Sequence, residues 1–375
     1  MKSAPGHIPL LGWSRKQWED WLTDRGCPAV HAASLVRKIH RHGELRLERT
    51  GSIPQHLRTA LREQAECTLP EVVESAHARD GTRKWLLRLD CGDVIETVLI
   101  PTAGRTTLCL SSQAGCALNC TFCRTARSGF ARNLTAHEIV SQLWLVQHRL
   151  QPDMPVTHVV FMGMGEPLAN LDAVAGAANL FRDPHAYSMG HRQVTVSTAG
   201  LVPGIDRLRQ IADVSLAVSL HAPDDTLRTQ LMPINVRYPI DNLLAACRRY
   251  AAGRSRKRKI IIEYVLLDGI NDSPECAWAL ARRLCELPCK VNLIPFNAFP
   301  GSGFAASPES ARNRFREALC REGIVAVTRQ PRGDDIAAAC GQLAGDIQKP
   351  RAGMPWANRL VLKHEPLPAA SGVAT

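Results

Sequence analysis

Thr107-Leu-Cys-Leu-Ser111-Ser-Gln-Ala-Gly-Cys116-Ala-Leu-Asn-Cys120-Thr-Phe-Cys123 joins a short apolar run to a loop that holds three cysteines within eight residues. The run Thr107 to Ser111 is strand-sized, and the polar and glycine residues after it mark its end. Outward from it, the same alternation repeats. Strand-like runs at Thr157 to Met162, Gln193 to Ser197, Ser215 to Leu220, Lys259 to Leu266 and Lys290 to Pro295 are each followed by a helix-like segment. Thr135 with Glu138 has the spacing of a capping box. Ser273 with Pro274 reads as an N-cap followed by proline at the first helical position. Six strand–helix units predict a parallel sheet with right-handed crossovers. Six are too few to close an eight-strand barrel. The expected fold is therefore α/β, a partial, open (β/α)6 barrel with its site at the C-terminal ends of the strands. A last strand, Ile324 to Arg329, is expected after a helix at 309–322.

Upstream, residues 1–68 carry apolar side chains at helical spacing, among them Trp18, Trp21, Leu22, Leu35, Val36 and Ile39. They predict a small helical accessory domain, with Arg37, Lys38 and Arg41 on a basic edge. Residues 69–103 read as an antiparallel meander, Val72 to His77, Lys84 to Leu89 and Val94 to Ile100, ended by Pro101. The barrel would then span 104–348, leaving 349–375 as a partly disordered tail.

The chain has 375 residues, enough for a sizeable core, and its 45% hydrophobic and 22% charged content is that of an ordinary globular protein. No apolar run approaches the roughly 20 residues that span a bilayer. With no signal-like segment at the start, a cytoplasmic location and no membrane contact are expected. The net charge of +11 favours an anionic partner, nucleic acid above all. Seven cations and no acid lie between Arg248 and Lys259: Arg248, Arg249, Arg254, Arg256, Lys257, Arg258 and Lys259. They read as phosphate contacts or as a solvated helix end. Arg124, Arg127 and Arg132 follow the cysteine loop and lie nearer the expected site.

Thirteen cysteines in such a chain read as metal ligands, catalytic thiols or small buried hydrophobes. Three of them in one loop make a poor core. Cys116, Cys120 and Cys123, at spacings of four and three, suit a cubane iron–sulfur cluster whose fourth iron stays open. Zinc is the weaker alternative, because no matching half-site of Cys or His follows. Glu96 is a lone carboxylate in an apolar strand, and is either outward-facing or functional. Cys109 in its apolar strand and Cys340 after three alanines both look like core positions.

The Cys-x3-Cys-x2-Cys loop resembles that of the radical S-adenosylmethionine (SAM) superfamily, with Phe122 as the usual aromatic. Met162-Gly-Met-Gly-Glu-Pro167, Ser197-Thr-Ala-Gly200, Ser219-Leu-His-Ala-Pro223, Leu293-Ile-Pro-Phe-Asn297 and Arg332-Gly-Asp-Asp-Ile-Ala-Ala-Ala-Cys-Gly-Gln-Leu343 narrow the resemblance to the RlmN/Cfr family of RNA methyltransferases. The matching segments run from about Arg37 to Gly345.

The resemblance implies methyl transfer to adenine carbon 2 in 23S rRNA, and to the adenosine beside the anticodon of some tRNAs. It implies two SAM molecules per turnover, a 4Fe-4S cluster on Cys116, Cys120 and Cys123, and an external one-electron reductant. Cys340 would be the methyl-carrying cysteine, Glu96 the proton acceptor, and Cys109 the resolving thiol that forms a transient disulfide with Cys340. Gly165, Glu166, Ser197, Ser219, Leu220, His221 and Asn297 would contact SAM. A monomer is expected. The segment Leu231 to Ile240 looks more like the Cfr relatives, which methylate carbon 8, so a carbon-8 enzyme is the alternative. A non-enzymatic zinc-containing RNA-binding protein is the alternative of another class.

Overall fold

The computed structural model describes residues 8–49, 53–66, 68–255, 258–339 and 341–343. Its centre is one ten-stranded sheet whose spatial order follows the chain. The strands are β1 (Glu71–His77), β2 (Arg83–Arg88), β3 (Val94–Thr102), β4 (Arg105–Cys109), β5 (His158–Phe161), β6 (Val194–Thr198), β7 (Ser215–Ser219), β8 (Ile260–Leu266), β9 (Cys289–Pro295) and β10 (Ala326–Thr328). β1 to β4 pair antiparallel and β4 to β10 pair parallel. Parallel neighbours need long crossovers, and the helices between these strands supply them.

The meander therefore does not end at Pro101. β3 runs through it to Thr102 and turns back into β4, with Pro101 opposite Thr106. A proline fits there because β2 reaches only Leu99, so no partner on that side needs the missing N–H. The meander and the barrel strands are one surface. The tail expected from residue 349 lies outside the described residues.

Core and hollow follow from period-two alternation. On β5, Val159 and Phe161 are buried toward the helices, while His158 and Val160 face inward and stay partly open. The same alternation puts Cys109, Ser197, Ser219, Glu263, Asn292 and Ile294 on the inner face. A closed eight-strand barrel fills this space with side chains. Here the sheet stays open and the space is hollow. Outside, the helices bury apolar stripes such as Val174, Ala177, Ala178 and Phe181 of Leu171–Arg182. The Thr135 capping box and the Ser273 N-cap with Pro274 are both formed.

Three helices, Arg15–Thr23, His31–His40 and Gln55–Gln64, precede the sheet. They dock through Trp144, whose Nε1 donates to Ile39 O at 2.8 Å, and through His148 Nε2, 3.0 Å from His40 O. Arg41 Nε donates to Ala186 O at 3.0 Å, and Arg37 bonds His185. Two cations of the expected basic edge are thus engaged in an internal contact. Among the described residues, no helix is long and apolar enough to cross a membrane.

Candidate active site

The cysteine loop leaves β4 through clamps on Ser111, just beyond the C-terminal end of the strand. Gln142 pairs its amide with the main chain of Ser111, donating to O and accepting from N at 2.9 Å each. Ser111 Oγ donates to Glu96 O at 2.6 Å. A two-stranded hairpin, Gln113–Gly115 against Phe130–Asn133, then pinches the loop base, with Cys116 N donating to Gly129 O at 2.8 Å. Cys116, Cys120 and Cys123 line one cavity of about 170 Å3, together with Glu166, Ser197, Ser219, His221 and Asn297.

Burial pushes the Cys116 thiol up to about 12 and raises the Cys120 thiol well above its ordinary value. A metal that binds these thiols displaces their protons. Among the described residues, no three His, Cys, Asp or Glu side chains converge closely enough for a single ion. Three thiols on one loop facing one cavity suit a cluster that offers each thiolate its own iron.

The residues expected at SAM gather around this cavity. Gly165 has φ 100°, and a Cβ there would lie 2.5 Å from Gln113 Cβ, so glycine is required. Glu166 is buried, and its two oxygens accept from Leu168 N at 3.0 Å and Ala199 N at 2.7 Å. Burial raises its carboxyl, while the bonds from Ala199, Leu168 and Thr198 hold it down. Of the run Ser219 to His221, Ser219 and His221 line the cavity, and the Leu220 side chain is core instead. Burial lowers the His221 imidazole to about 3, with Arg228 adding to it. The ring is therefore neutral. Its Nδ1 accepts from Val265 N at 2.9 Å, and Phe122 meets it edge-on at 4.8 Å between centroids.

Sequence reasoning missed the hub beneath these loops. Arg228 is fully buried and donates to Ala199 O (2.7 Å), Ser219 O (3.0 Å) and Leu220 O (3.1 Å). Asn235 Oδ1 accepts from its Nη1 at 2.8 Å, and Asn235 Nδ2 is anchored by Asp225 and Thr229. Asn235 lies in the segment Leu231 to Ile240 and orients Arg228.

Cys109 is buried at the end of β4 and faces the barrel hollow. Glu96 is buried on the neighbouring β3, and Lys84 Nζ lies 3.6 Å from its Oε1. Cys340 lies outside the described residues, but both sides of its loop are tied. Upstream, Gly333 N donates to Asp80 Oδ2 at 3.2 Å and Lys84 Nζ to Ala337 O at 3.3 Å. Downstream, Arg124 N donates to Gly341 O at 2.8 Å and Thr125 Oγ1 to Leu343 O at 2.6 Å. Ala339 lines the hollow with Cys109, and Gly341 lines the cavity with the three cysteines.

Glu263 on β8 is a second missed residue. It sits beside Ser219 in register, accepts on Oε1 from Arg329 (2.7 Å) and Asn292 (3.0 Å), and its buried Oε2 has no partner among the described residues. Its signal was the one Glu96 gave, a lone carboxylate in an apolar strand.

The basic candidates divide. Arg132 is locked between Asp93 and Glu138 at 2.7 Å each, and Arg127 stacks on Phe299. Arg248 pairs with Glu286 and Arg249 with Asp206, so acids distant in sequence neutralise that end of the run. Arg254, Arg258 and Lys259 line the hollow, while Arg256 and Lys257 lie outside the described residues. The scattered cysteines also divide: Cys91, Cys285 and Cys320 are exposed rather than core.

Residues 110–277 match the radical SAM superfamily. The chain is 47% identical over 352 residues to the dual-specificity RNA methyltransferase RlmN of Marinobacter nauticus, covering 93% of this chain and 95% of that protein. It also superposes on the crystal structure of a radical SAM methyltransferase from Sphaerobacter thermophilus, with a TM-score of 0.83 and 41% identity. That match covers 90% of this chain and 99% of the other.

Proposed function

This chain belongs to the RlmN family of radical SAM RNA methyltransferases, and from that membership we propose that it methylates carbon 2 of an adenine in 23S rRNA and in some tRNAs. The observation that carries this reading is the span of the C-terminal loop. The residues on either side of Cys340 line two hollows, one holding the three-cysteine loop and the other Cys109.

Cys116, Cys120 and Cys123 would hold a 4Fe-4S cluster, with Gly165, Glu166, Ser197, Ser219, His221 and Asn297 around SAM. The pair would supply one-electron cleavage of SAM to a 5′-deoxyadenosyl radical. A radical is needed because adenine carbon 2 is electron-poor and has no lone pair to displace methyl directly. Cys340 carries the methyl group, and Glu96 takes the proton from carbon 2. Cys109, as its thiolate, attacks the Cys340 sulfur; the sulfur–sulfur bond forms as the sulfur–carbon bond breaks, and the electron pair left on that carbon takes a proton to complete the methyl group on the base. Glu166 is suited to the SAM ammonium because both its oxygens keep further acceptor capacity beyond the two backbone bonds. The enzyme works in the cytoplasm as a monomer, with an external one-electron reductant.

The Leu231 to Ile240 segment, which resembles the carbon-8 relatives, supports Arg228 through Asn235 and reaches the cavity through Met232. It is scaffold to the reaction, so it weighs less than the loop around Cys340. The test is mass and position mapping of methyladenosine in rRNA and tRNA from cells lacking this protein, beside anaerobic assays of the purified enzyme. Loss of 2-methyladenosine is expected. Loss of 8-methyladenosine would make it a carbon-8 enzyme, and a colourless zinc protein with no methylation would make it a binding protein.

A further inference from the structure

The hollow of the open barrel measures about 840 Å3. It is walled by the inward residues at the starts of the strands, Thr107, His158, Thr195, Ser215, Ile261 and Lys290. The cysteine loop lies at the other end. Cations ring this mouth, and among the described residues no Asp or Glu lines it. Arg254 and Arg258 share Asp213 behind the wall. Arg105, Arg192, Lys259 and Lys290 make no ion pair with any described residue.

These charges crowd one another. Burial and then the Arg329 charge lower the Arg105 ionisation. Burial lowers Lys290 as well; Glu263 alone pulls it upward, against the charges of Arg329, Arg105 and Lys259. Unmatched like charges at the edge of a concave, low-dielectric wall repel, and they focus a field that an anion relieves. The hollow is continuous with the cysteine cavity, since Met162, Ile294, Asn297 and Arg329 line both.

We propose that this cationic mouth binds the phosphates flanking the target adenosine, so that the RNA strand enters from the N-terminal ends of the strands and its base passes inward to Cys109. This rests on the RNA methyltransferase reading above. Arg105 and Lys290 are the principal contacts, with Lys259 and Arg192 at the rim. A splayed-out nucleotide fits a concavity of this size, whereas the convex face of a folded acidic protein does not. Cations without base-edge partners position a strand and leave sequence choice to other contacts.

The experiment uses the cluster-loaded enzyme and a stem-loop RNA that the wild type methylates. Arg105→Gln with Lys290→Met should weaken RNA binding at low salt at least tenfold. It should also flatten the salt dependence by about 0.7 for each phosphate of single-stranded RNA that is no longer neutralised. Methylphosphonate substitution of the phosphates beside the target adenosine should cost the wild type a similar factor and cost the double variant nothing further. If the variant does not fold, shown by its melting curve and iron content, the methylphosphonate RNA on wild-type protein decides alone. Unchanged slope and harmless methylphosphonates, with methylation intact, would overturn this entry path and leave the function standing. Weakened binding of an acidic electron-donor protein in place of RNA would overturn it too. Absence of methylation of any RNA by the wild type would instead refute the function, and the entry path with it.

Discussion

Cys116, Cys120 and Cys123 share one cavity wall, and each is expected to contribute one iron ligand. Replacing any one with Ala should cut iron and sulfide content and abolish SAM cleavage; a variant with full iron and activity would refute the cluster. Cys109 and Cys340 separate by product. Cys340→Ala should leave the cluster but stop methyl transfer to protein and RNA. Cys109→Ala should leave RNA attached to Cys340, as no second thiol remains to attack. Denaturing electrophoresis before and after nuclease should show a slow, nuclease-sensitive band that disappears when Cys340 is also changed. Normal turnover with no such band would return Cys109 to a packing role. The cysteine loop was legible because three ligands lie within one short stretch. Glu263 was not, because its significance depends on Ser219, Asn292 and Arg329 reaching it from other segments of the chain.

Arg228 and Asn235 act between elements. Each carbonyl that Arg228 holds belongs to a strand end or loop bordering the cysteine cavity. Arg228→Leu would strand four acceptors, three main-chain carbonyls and Asn235 Oδ1, and an unmet buried acceptor costs about 1–3 kcal/mol. Loss of about 3 kcal/mol or more is expected in denaturant titration of the apoprotein, together with weakened SAM binding. Arg228→Lys should recover only part, since an ammonium cannot reproduce a planar fork. A Leu variant of wild-type stability would remove Arg228 from this role. The strand boundaries were readable to within about two residues, for the alternation that made them legible is the same one that packs them. The exception was β3, where Pro101 read as a stop; only the length of β2 made it tolerable. The small hairpin around the cysteine loop escaped notice because its strands are three and four residues long.

Across the whole molecule, the N-terminal helices and the barrel meet at a cluster of aromatic and imidazole rings. His40 is fully buried there, with its ring against Tyr187 and with His148 and His137 nearby. Burial lowers its folded-state ionisation to about 3, and the two neighbouring histidines add to the shift. Unfolded, the same side chain titrates near 6.5. A depressed histidine therefore contributes stability that is complete above about pH 6.5. That contribution falls as the pH drops toward 3, by up to about 1.4 kcal/mol per pH unit. Urea unfolding between about pH 7.5 and 5 should show this acid loss, and His40→Leu should flatten it by about one proton. Parallel pH curves for variant and wild type would mean that His40 is not the group responsible.

The linear chain by itself determined the open parallel barrel, the helical and antiparallel additions before it, and the cysteine loop, because each is written in local spacing and periodicity. It also determined the net positive charge. Which cations stay available was decided only in three dimensions. Arg248, Arg249 and Arg132 are matched by acids from other segments, and Arg37 and Arg41 dock against residues 184–186. Arg105 and Lys290, far apart in the chain, end on one unmatched wall. Ion pairing and burial depend on distance through space, which sequence separation does not encode. A sheet that stops short of closing is what leaves that wall open to a ligand.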